Sequence, residues 1–250
     1  MRDVEHDYQP DFYTRSKKVG DPASRRQKAL KIIHALERYS RRPLRVSVCL
    51  DIGCSSGLIS AAVSSLSRMT LGLDYDRIAL EASDADTRSK VGFVRGDAMH
   101  LPFVDGVVDI AVCAQVYEHV PDASLMMEEL SRVLAPRGTV FFSGPNWLFP
   151  IEPHYFLPFL HWLPGPMADA ILRLTGKGDS YYERLRTLWG LRRLTKHFEV
   201  RDITVEVLQE FSLPRKGFLG KLLRLIPESA WRILTPIFPS YNWILYKPET

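Results

Sequence analysis

Short apolar runs rich in β-branched residues alternate with segments of helical periodicity through most of the chain. The runs predict strands, and apolar positions three and four residues apart predict helices with one buried face. Strands that alternate with helices imply an α/β fold, in which a doubly wound parallel sheet carries helices on both faces. The predicted strands are Val46–Leu50, Thr70–Leu73, Val91–Val94, Val107–Cys113, Thr139–Ser143, Phe198–Val207 and Tyr241–Tyr246.

Helix signals lie between these runs. Asp122 is a good cap for one helix, and Pro136 and Gly138 are expected to stop it. The other predicted helices run from about Ala23 to Tyr39, from Gly57 onward, from Ile78 to Ala82 and from Leu185 to His197.

Composition limits the class of protein. The chain has 250 residues, of which 46% are hydrophobic, so it can bury a core as one α/β domain with additions. A net charge of only +4, with 29 acidic residues, argues against a dedicated nucleic-acid binder. The N-terminus shows no secretory signal and no apolar run is long enough to span a membrane, so we expect a cytoplasmic protein, at most attached to the inner face of a membrane.

The three cysteines are Cys49, Cys54 and Cys113, an odd number without the paired spacing of a zinc site. We expect them to be reduced thiols in or near the core. The sequence predicts no metal site.

A glycine turn follows the first predicted strand, as Asp51-x-Gly53-x-Ser55-x-Gly57 with Cys54 inside it. The glycines let the backbone pass close to a ligand. Gly-x-Gly-x-x-Gly is absent, which disfavours a dinucleotide pyrophosphate. Asp51 can accept hydrogen bonds from an ammonium group or ordered water, which fits the amino-acid end of S-adenosylmethionine.

Candidate ligand residues also follow the next three strands, at the sheet edge where open α/β sheets bind ligands. Asp74 is placed to hold ribose hydroxyls, and Asp97 is placed to accept from the adenine amino group. A single Asp after a strand is more often a cap or turn residue, but their ordered recurrence favours a ligand site. The predicted donor-binding residues beyond the glycine turn are Asp74, Tyr75, Asp97, Ala98, Met99, Gln115 and Tyr117.

Residues 46–143 resemble the core of class I S-adenosylmethionine-dependent methyltransferases, especially the type-11 group that includes ubiquinone and menaquinone biosynthesis enzymes. The resemblance implies S-adenosylmethionine as methyl donor and a seven-stranded Rossmann-like sheet whose strand seven is antiparallel and lies between strands five and six. The central glycine of the family's first motif is Ser55 here. The matching stretches are Val48–Gly57, Gly96–Ala98 with Leu101–Phe103, Val107–Asp109, Glu118–Pro121 and Leu134–Thr139.

Two stretches interrupt the regular pattern. Residues 145–180 are crowded with proline and aromatic residues, and residues 212–238 are basic and apolar. Since the family places strands five and six parallel, both insertions are expected at the carboxyl edge, as a cap over the acceptor pocket. We expect residues 1–44 to form a lid-like arm and helix, and 45–250 to form the methyltransferase domain.

Three residues are candidates for catalysis: His119 after the fourth strand, and His154 and Tyr155 in the first insertion. A histidine is the most suitable base near neutral pH. His119 could equally organise the loop and the donor carboxylate, and His154 could be a satisfied structural residue.

The acceptor is expected to be hydrophobic or lipid-linked, with O-methylation favoured and C-methylation second. Segment 212–238 resembles an interfacial membrane helix, although a lid that packs its leucines on the domain explains the same pattern. Two alternatives are a methyltransferase for a soluble small molecule and a non-catalytic binding protein that keeps the fold.

Overall fold

A seven-stranded sheet forms the centre of the molecule in the computed structural model, which describes residues 22–213, 223 and 225–249. The strand order is β3-β2-β1-β4-β5-β7-β6. The strands are β1 (Val48–Ile52), β2 (Met69–Asp74), β3 (Gly92–Arg95), β4 (Val108–Ala114), β5 (Leu134–Pro145), β6 (Glu199–Asp202) and β7 (Ser240–Tyr246).

Strands β1 to β5 are parallel, and β7 is antiparallel to both of its neighbours, β5 and β6. This arrangement confirms the predicted α/β sheet and the position of strand seven between five and six. The order reverses at β1, which lies between β2 and β4, so a cleft opens beyond the carboxyl ends of β1 and β4.

Helices cover both faces of the sheet. Within the described residues the first helix spans Pro22–Tyr39. The helices are α1 (Pro22–Tyr39), α2 (Leu58–Val63), α3 (Arg77–Glu81), α4 (Ala85–Lys90), α5 (Ala123–Val133), α6 (Gly165–Leu174), α7 (Leu188–Leu194), α8 (Thr204–Val207) and α9 (Glu228–Leu234).

The side chains of each strand alternate between two cores. Phe142 and Leu245 join the larger core, under α5 and α7, whereas their neighbours Phe141 and Ile244 join the core on the opposite face. Ile32 of α1 is completely buried in that second core. Helix α1 is therefore a layer of the domain, while the rest of the predicted arm, residues 1–21, lies outside the described residues.

The largest differences from the predicted element boundaries are at β5 and β6. Strand β5 begins at Leu134 and continues directly from α5, so Pro136 and Gly138 lie inside the strand. The predicted strand Phe198–Val207 was wrong in its second half, because β6 ends at Asp202 and α8 follows. Oδ1 of Asp202 accepts a hydrogen bond from N of Thr204 at 2.9 Å, and this local bond starts a helix in a β-branched sequence.

The described part of the second insertion packs on the domain. The Nδ2 of Asn146, just after β5, donates to the backbone oxygens of Pro236 and Phe238 at 2.8 Å each. The two insertions therefore meet at Asn146. Most of the basic residues that suggested a membrane contact, residues 215–222 and 224, lie outside the described residues. Among the helices that the structure does describe, none combines the length and the apolar character that crossing a membrane requires.

Candidate active site

The loop after β1 has the tight backbone that the glycine pattern predicts. Gly53 and Gly57 have φ angles of 69° and 79°, in the left-handed region that favours glycine. A Cβ on Gly53 would lie 2.8 Å from Cγ2 of Val116, and one on Gly57 would lie 2.4 Å from Cζ of Phe93. Both positions therefore require glycine for backbone shape and for space.

Asp51 lies at the carboxyl end of β1 and is almost fully buried. Its Oδ2 accepts a hydrogen bond from Oγ of Ser60 at 2.5 Å. Burial raises the pKa of Asp51 to about 6, although the hydrogen bond from Ser60 and the nearby charges of Arg25 and Lys28 oppose the rise. A buried carboxylate held in this way is suited to a cationic ligand group.

Asp74 at the end of β2 organises the glycine loop. Its Oδ2 accepts from the backbone N of Ser55 at 2.7 Å and its Oδ1 accepts from N of Asp76 at 2.9 Å. Burial raises the pKa of the Asp74 carboxyl, and the two backbone hydrogen bonds oppose that rise. The neighbouring Tyr75 is half-buried. Each oxygen keeps a second lone pair, so Asp74 can still accept from ligand hydroxyls.

The segment after β3 is a compact turn. Oδ1 of Asp97 accepts from N of Met99 at 2.7 Å, and its Oδ2 lies 3.3 Å from Nδ1 of His100. Ala98 and Met99 are buried, and the sulfur of Met99 accepts from N of Asp122 at 3.3 Å. The carboxylate of Asp97 is about a quarter exposed at this edge.

The side chains of two predicted donor-binding residues, Tyr117 and Cys54, contact other parts of the protein. The hydroxyl of Tyr117 donates to the oxygen of Pro145 at 2.6 Å and accepts from N of Arg186 at 3.1 Å, and its ring stacks on Phe142. The Tyr117 side chain is therefore part of the core, and its place among the donor-binding residues stays a prediction. The thiol of Cys54 packs against Gly72 of β2.

Another predicted donor-binding residue is Gln115. Gln115 follows β4 with a φ of 63°, and its N donates to the oxygen of Ser143 at 2.8 Å. All three cysteines are buried free thiols, as predicted.

The two predicted catalytic histidines lie side by side, although they are distant in sequence. The ring centroids of His119 and His154 are 4.8 Å apart, with the rings edge to face. Nδ1 of His154 lies 2.7 Å from Oε1 of Glu152. The other ring nitrogen, Nε2, lies 3.8 Å from Oε1 of Glu118, and Nε2 of His119 lies 3.9 Å from the same oxygen.

Charges in this cluster shift one another's pKa values. Burial raises the pKa of Glu118 to about 7, against the effect of the His154 charge. Burial and the His154 charge lower the pKa of His119 well below its ordinary value. Burial also opposes protonation of His154, but the hydrogen bond to Glu152 and the charges of Glu183, Glu152 and Glu118 outweigh it and raise the pKa of His154.

Tyr155 is placed in the same region. Its backbone N donates to Oε2 of Glu152 at 2.6 Å, and its hydroxyl donates to Oε1 of Glu183 at 3.4 Å. The ring tilts against that of Tyr181, 6.0 Å away. Tyr155 therefore lies beside the histidine pair and is oriented by the same buried acids.

Sequence reasoning did not select the buried acids Glu118, Glu152 and Glu183, or the cations Arg25 and Lys28 of α1, as site residues. Lys28 interacts electrostatically with both Asp51 and Glu118, so these two carboxylates face the same part of the cleft. Burial and the charge of Arg25 lower the pKa of Lys28 to about 8. The sequence does contain one signal for two of these acids: His119 directly follows Glu118, and His154 lies two residues after Glu152.

The fold and the site together define a class of protein. A seven-stranded sheet with an antiparallel strand seven, a glycine loop after β1 and carboxylates at successive strand ends is the architecture of class I S-adenosylmethionine-dependent methyltransferases. The Methyltransf_11 family, a methyltransferase domain, matches residues 50–142. Residues 50–142 are therefore similar to a methyltransferase domain of the type-11 group, and the chain around them has the class I fold.

Similar proteins agree with this assignment. An uncharacterized methyltransferase of Mycobacterium leprae is 35% identical over 122 residues, which cover 48% of this chain and 45% of that protein. The chain thus matches less than half the length of this relative.

Two solved structures share the fold. The PH0226 protein of Pyrococcus horikoshii superimposes with a TM-score of 0.60 at 16% identity, over 95% of this chain and 96% of the other. An S-adenosylmethionine-dependent methyltransferase of Mesorhizobium loti gives a TM-score of 0.54 at 13% identity, over 91% of this chain and 99% of the other.

Proposed function

We propose that the protein transfers the methyl group of S-adenosylmethionine to a hydroxyl oxygen of a hydrophobic or lipid-linked acceptor. The observation that carries this proposal is that the glycine loop with Asp51, a donor-type site, and the histidine pair lie at the same sheet edge. Asp51 is in register with Val112 of β4, two residues before that strand ends, and β4 leads into Glu118 and His119.

The residues of the glycine loop fit the donor. Gly53 and Gly57 give the loop a tight left-handed backbone that a residue with a Cβ would not fit, and this shapes the turn at the end of β1. Asp51 would hold the ammonium group, Asp74 the ribose hydroxyls and Asp97 the adenine amino group, with Tyr75, Ala98 and Gln115 flanking them. When bound, S-adenosylmethionine supplies a methyl group that is already activated as a sulfonium.

The protein's own task is then to position and deprotonate the acceptor. The oxygen must lie in line with the methyl carbon and the sulfur, and water must be excluded. The hydroxyl also has to lose its proton. The histidine pair, with Tyr155 beside it, is where the acceptor hydroxyl would be held for this step, and this supports O-methylation over C-methylation of a ring.

An apolar acceptor is supported by the first insertion. We define the aromatic patch as Trp147, Phe159 and Trp162, whose rings lie 5.7 Å (Trp147–Trp162) and 5.0 Å (Phe159–Trp162) apart. All three side chains are between one third and one half exposed. Phe159 has a φ of 60°, so the backbone adopts a conformation that is unfavourable for phenylalanine while it presents the ring to solvent.

Exposed aromatic rings beside a cleft are typical of surfaces that contact apolar ligands or a membrane interface. The patch therefore supports peripheral attachment of the protein to a bilayer that contains the acceptor. Sedimentation with neutral and anionic vesicles tests this, with Phe159→Glu as the variant. Val104→Glu is the matched control, because Val104 is 72% exposed on a turn outside the patch.

The transfer itself is tested with carbon-13 methyl-labelled S-adenosylmethionine and an extract of the cells that make the protein. Label in the organic-solvent fraction with the chemical shift of an O-methyl carbon supports the proposal. Label confined to the aqueous fraction would favour a soluble acceptor. Donor binding without any transferred label would favour a binding protein that keeps the fold.

A further inference from the structure

Three metal-ligating groups meet at a single point of the candidate active site. They are the carboxylate of Glu118 and the imidazoles of His119 and His154, whose nearest ligand atoms all lie within 4.8 Å of one another. Glu118 and His119 follow β4, whereas His154 comes from the first insertion. The fold alone therefore brings them together.

The carboxylate of Glu118 lacks a hydrogen-bond donor among the described residues. Its side chain is completely buried, and within that part of the chain neither Oε1 nor Oε2 has a hydrogen-bond partner. Leaving a buried carboxylate without a donor is strongly unfavourable, and native structures avoid it. A group that binds carboxylate oxygen is therefore expected next to Oε1.

The orientation of His154 points to what that group is. Its Nδ1 lies 2.7 Å from Oε1 of Glu152 and carries a hydrogen towards it, while Nε2 faces Oε1 of Glu118 across 3.8 Å, where a metal ion would replace a proton. A carboxylate that fixes the ring of a histidine in this way is the usual second shell of a metal-binding imidazole. The 3.8 Å between Nε2 of His154 and Oε1 of Glu118 is longer than a hydrogen bond and close to the separation of two ligand atoms on one metal ion.

We propose that Glu118, His119 and His154 bind one divalent transition-metal ion, with zinc as the chemical type. Two imidazoles and one carboxylate are a known ligand set of catalytic zinc sites, which keep a fourth position open. Zinc ligands at about 2.1 Å place neighbouring ligand atoms about 3.4 Å apart. The distances of 3.8 and 3.9 Å to Oε1 are close to this value, and the two histidines must approach each other by rotation of their partly exposed rings.

The ion gives the proposed function a defined way to deprotonate its acceptor. Glu118, His119 and His154 would hold the ion with one position open, and there the ion would make an acceptor hydroxyl easier to deprotonate. The proton would pass to water, the oxygen would form the new bond to the methyl carbon, and the carbon–sulfur bond would break with its electron pair kept by sulfur. This role rests on the proposed function, whereas binding of the ion does not.

The test uses Co²⁺ as a spectroscopic probe on the full chain after chelator treatment, without donor or acceptor. We expect visible d–d absorption that saturates at one Co²⁺ per chain and is displaced by Zn²⁺. Glu118→Gln keeps the side-chain shape and should weaken Co²⁺ binding at least tenfold, and His154→Asn should abolish it. Glu128→Gln and His197→Asn are matched controls at exposed positions and should bind like wild type.

Absence of stoichiometric Co²⁺ binding, or unchanged binding in Glu118→Gln, would overturn the proposal. Thermal unfolding of each variant checks that it folds, and Glu118→Gln should not lower the melting temperature, since it removes an uncompensated carboxylate. Calorimetry with S-adenosylhomocysteine is run on the same samples. Co²⁺ binding without nucleoside binding contradicts the proposed function alone, and nucleoside binding without Co²⁺ contradicts the metal site alone.

Discussion

The backbone N–H of Ser55 donates to Oδ2 of Asp74 at 2.7 Å, and this bond joins the glycine loop after β1 to the end of β2. Asp74 therefore has two tasks in the account given above. It shapes the glycine loop, and we propose that its carboxylate also accepts hydrogen bonds from the donor's hydroxyl groups. We therefore expect different results from substituting Asp74 and from substituting Ser55.

Asp74→Ala should weaken binding of S-adenosylhomocysteine at least tenfold and lower the free energy of unfolding by about 1–3 kcal/mol, because the buried N–H groups of Ser55 and Asp76 lose their acceptor. Calorimetry and urea unfolding measure these quantities. Asp105→Ala is the control, since the Asp105 side chain is 79% exposed and should change neither value appreciably. Donor affinity equal to that of wild type in Asp74→Ala would exclude its role in binding.

Ser55→Gly should stabilise the protein by about 0.5–1 kcal/mol. Ser55 has a φ of 53°, and a non-glycine residue in this conformation is strained by about 1 kcal/mol or more. Among the described residues its Oγ is also buried without a hydrogen-bond partner, so the change removes an unsatisfied group. The matched control is the neighbouring Ser56→Gly, which has no such strain and should lose stability by about 0.5–1 kcal/mol. Equal destabilisation of both variants in urea unfolding would contradict this reading of Ser55.

Asp51→Asn should raise the free energy of unfolding at pH 7.5 by about 1–3 kcal/mol, while it weakens donor binding. The folded-state pKa of Asp51 is raised from 3.8 to about 6 by burial, so ionisation above that pH destabilises the folded state, by about 1.4 kcal/mol for each pKa unit. The folded chain binds more protons than the unfolded chain between about pH 4 and 6, and stability from this group falls as pH rises through that range.

The stability difference between Asp51→Asn and wild type should therefore vanish near pH 4 and be complete above about pH 6. Urea unfolding at several pH values measures it, with the exposed Asp105→Asn as control. A difference that grows as pH falls would reverse the predicted sign and contradict the pKa assigned to Asp51.

Glu152→Gln should weaken Co²⁺ binding about 10- to 100-fold, because the carboxylate orients His154 and increases its basicity. Glu152→Ala should weaken it further, since it also removes the acceptor for the backbone N of His154 and of Tyr155. Titration followed by visible absorption gives the order of affinities. If both variants bind Co²⁺ like wild type, Glu152 does not support the metal site.

The positions of the glycine loop and of the acids at the strand ends could be predicted because their signals are local in sequence. Asp51 and the glycines form one contiguous loop, and Asp74 and Asp97 each follow a strand that periodicity identifies. The order of the strands then places these residues at one edge. The sequence did not show that the Tyr117 hydroxyl forms hydrogen bonds with the backbone of Pro145 and Arg186.

The position of His154 could not be predicted from the sequence, because it depends on the path of the irregular first insertion. Hydrophobic periodicity predicts helices and strands but not the path of such a segment. Nothing in the sequence places His154 against His119, and without that contact Glu118 carries no functional signal. Packing between distant parts of the chain also explains why the predicted strand Phe198–Val207 was wrong in its second half. Val207 packs in the core beside Ile32 of α1, and this packing outweighs the strand propensity of its neighbours.

The central claim is that the loop from Asp51 to Gly57 binds S-adenosylmethionine, and calorimetry of the full chain with this donor tests it most directly. Wild type should bind one donor per chain, and Gly53→Ala should bind at least tenfold more weakly, because its Cβ would lie 2.8 Å from Val116. Gly176→Ala is the matched control, since Gly176 has a similar φ of 64° with nothing within 4 Å of its Cβ position, and it should bind like wild type. No heat of binding from wild type at millimolar donor would contradict the account.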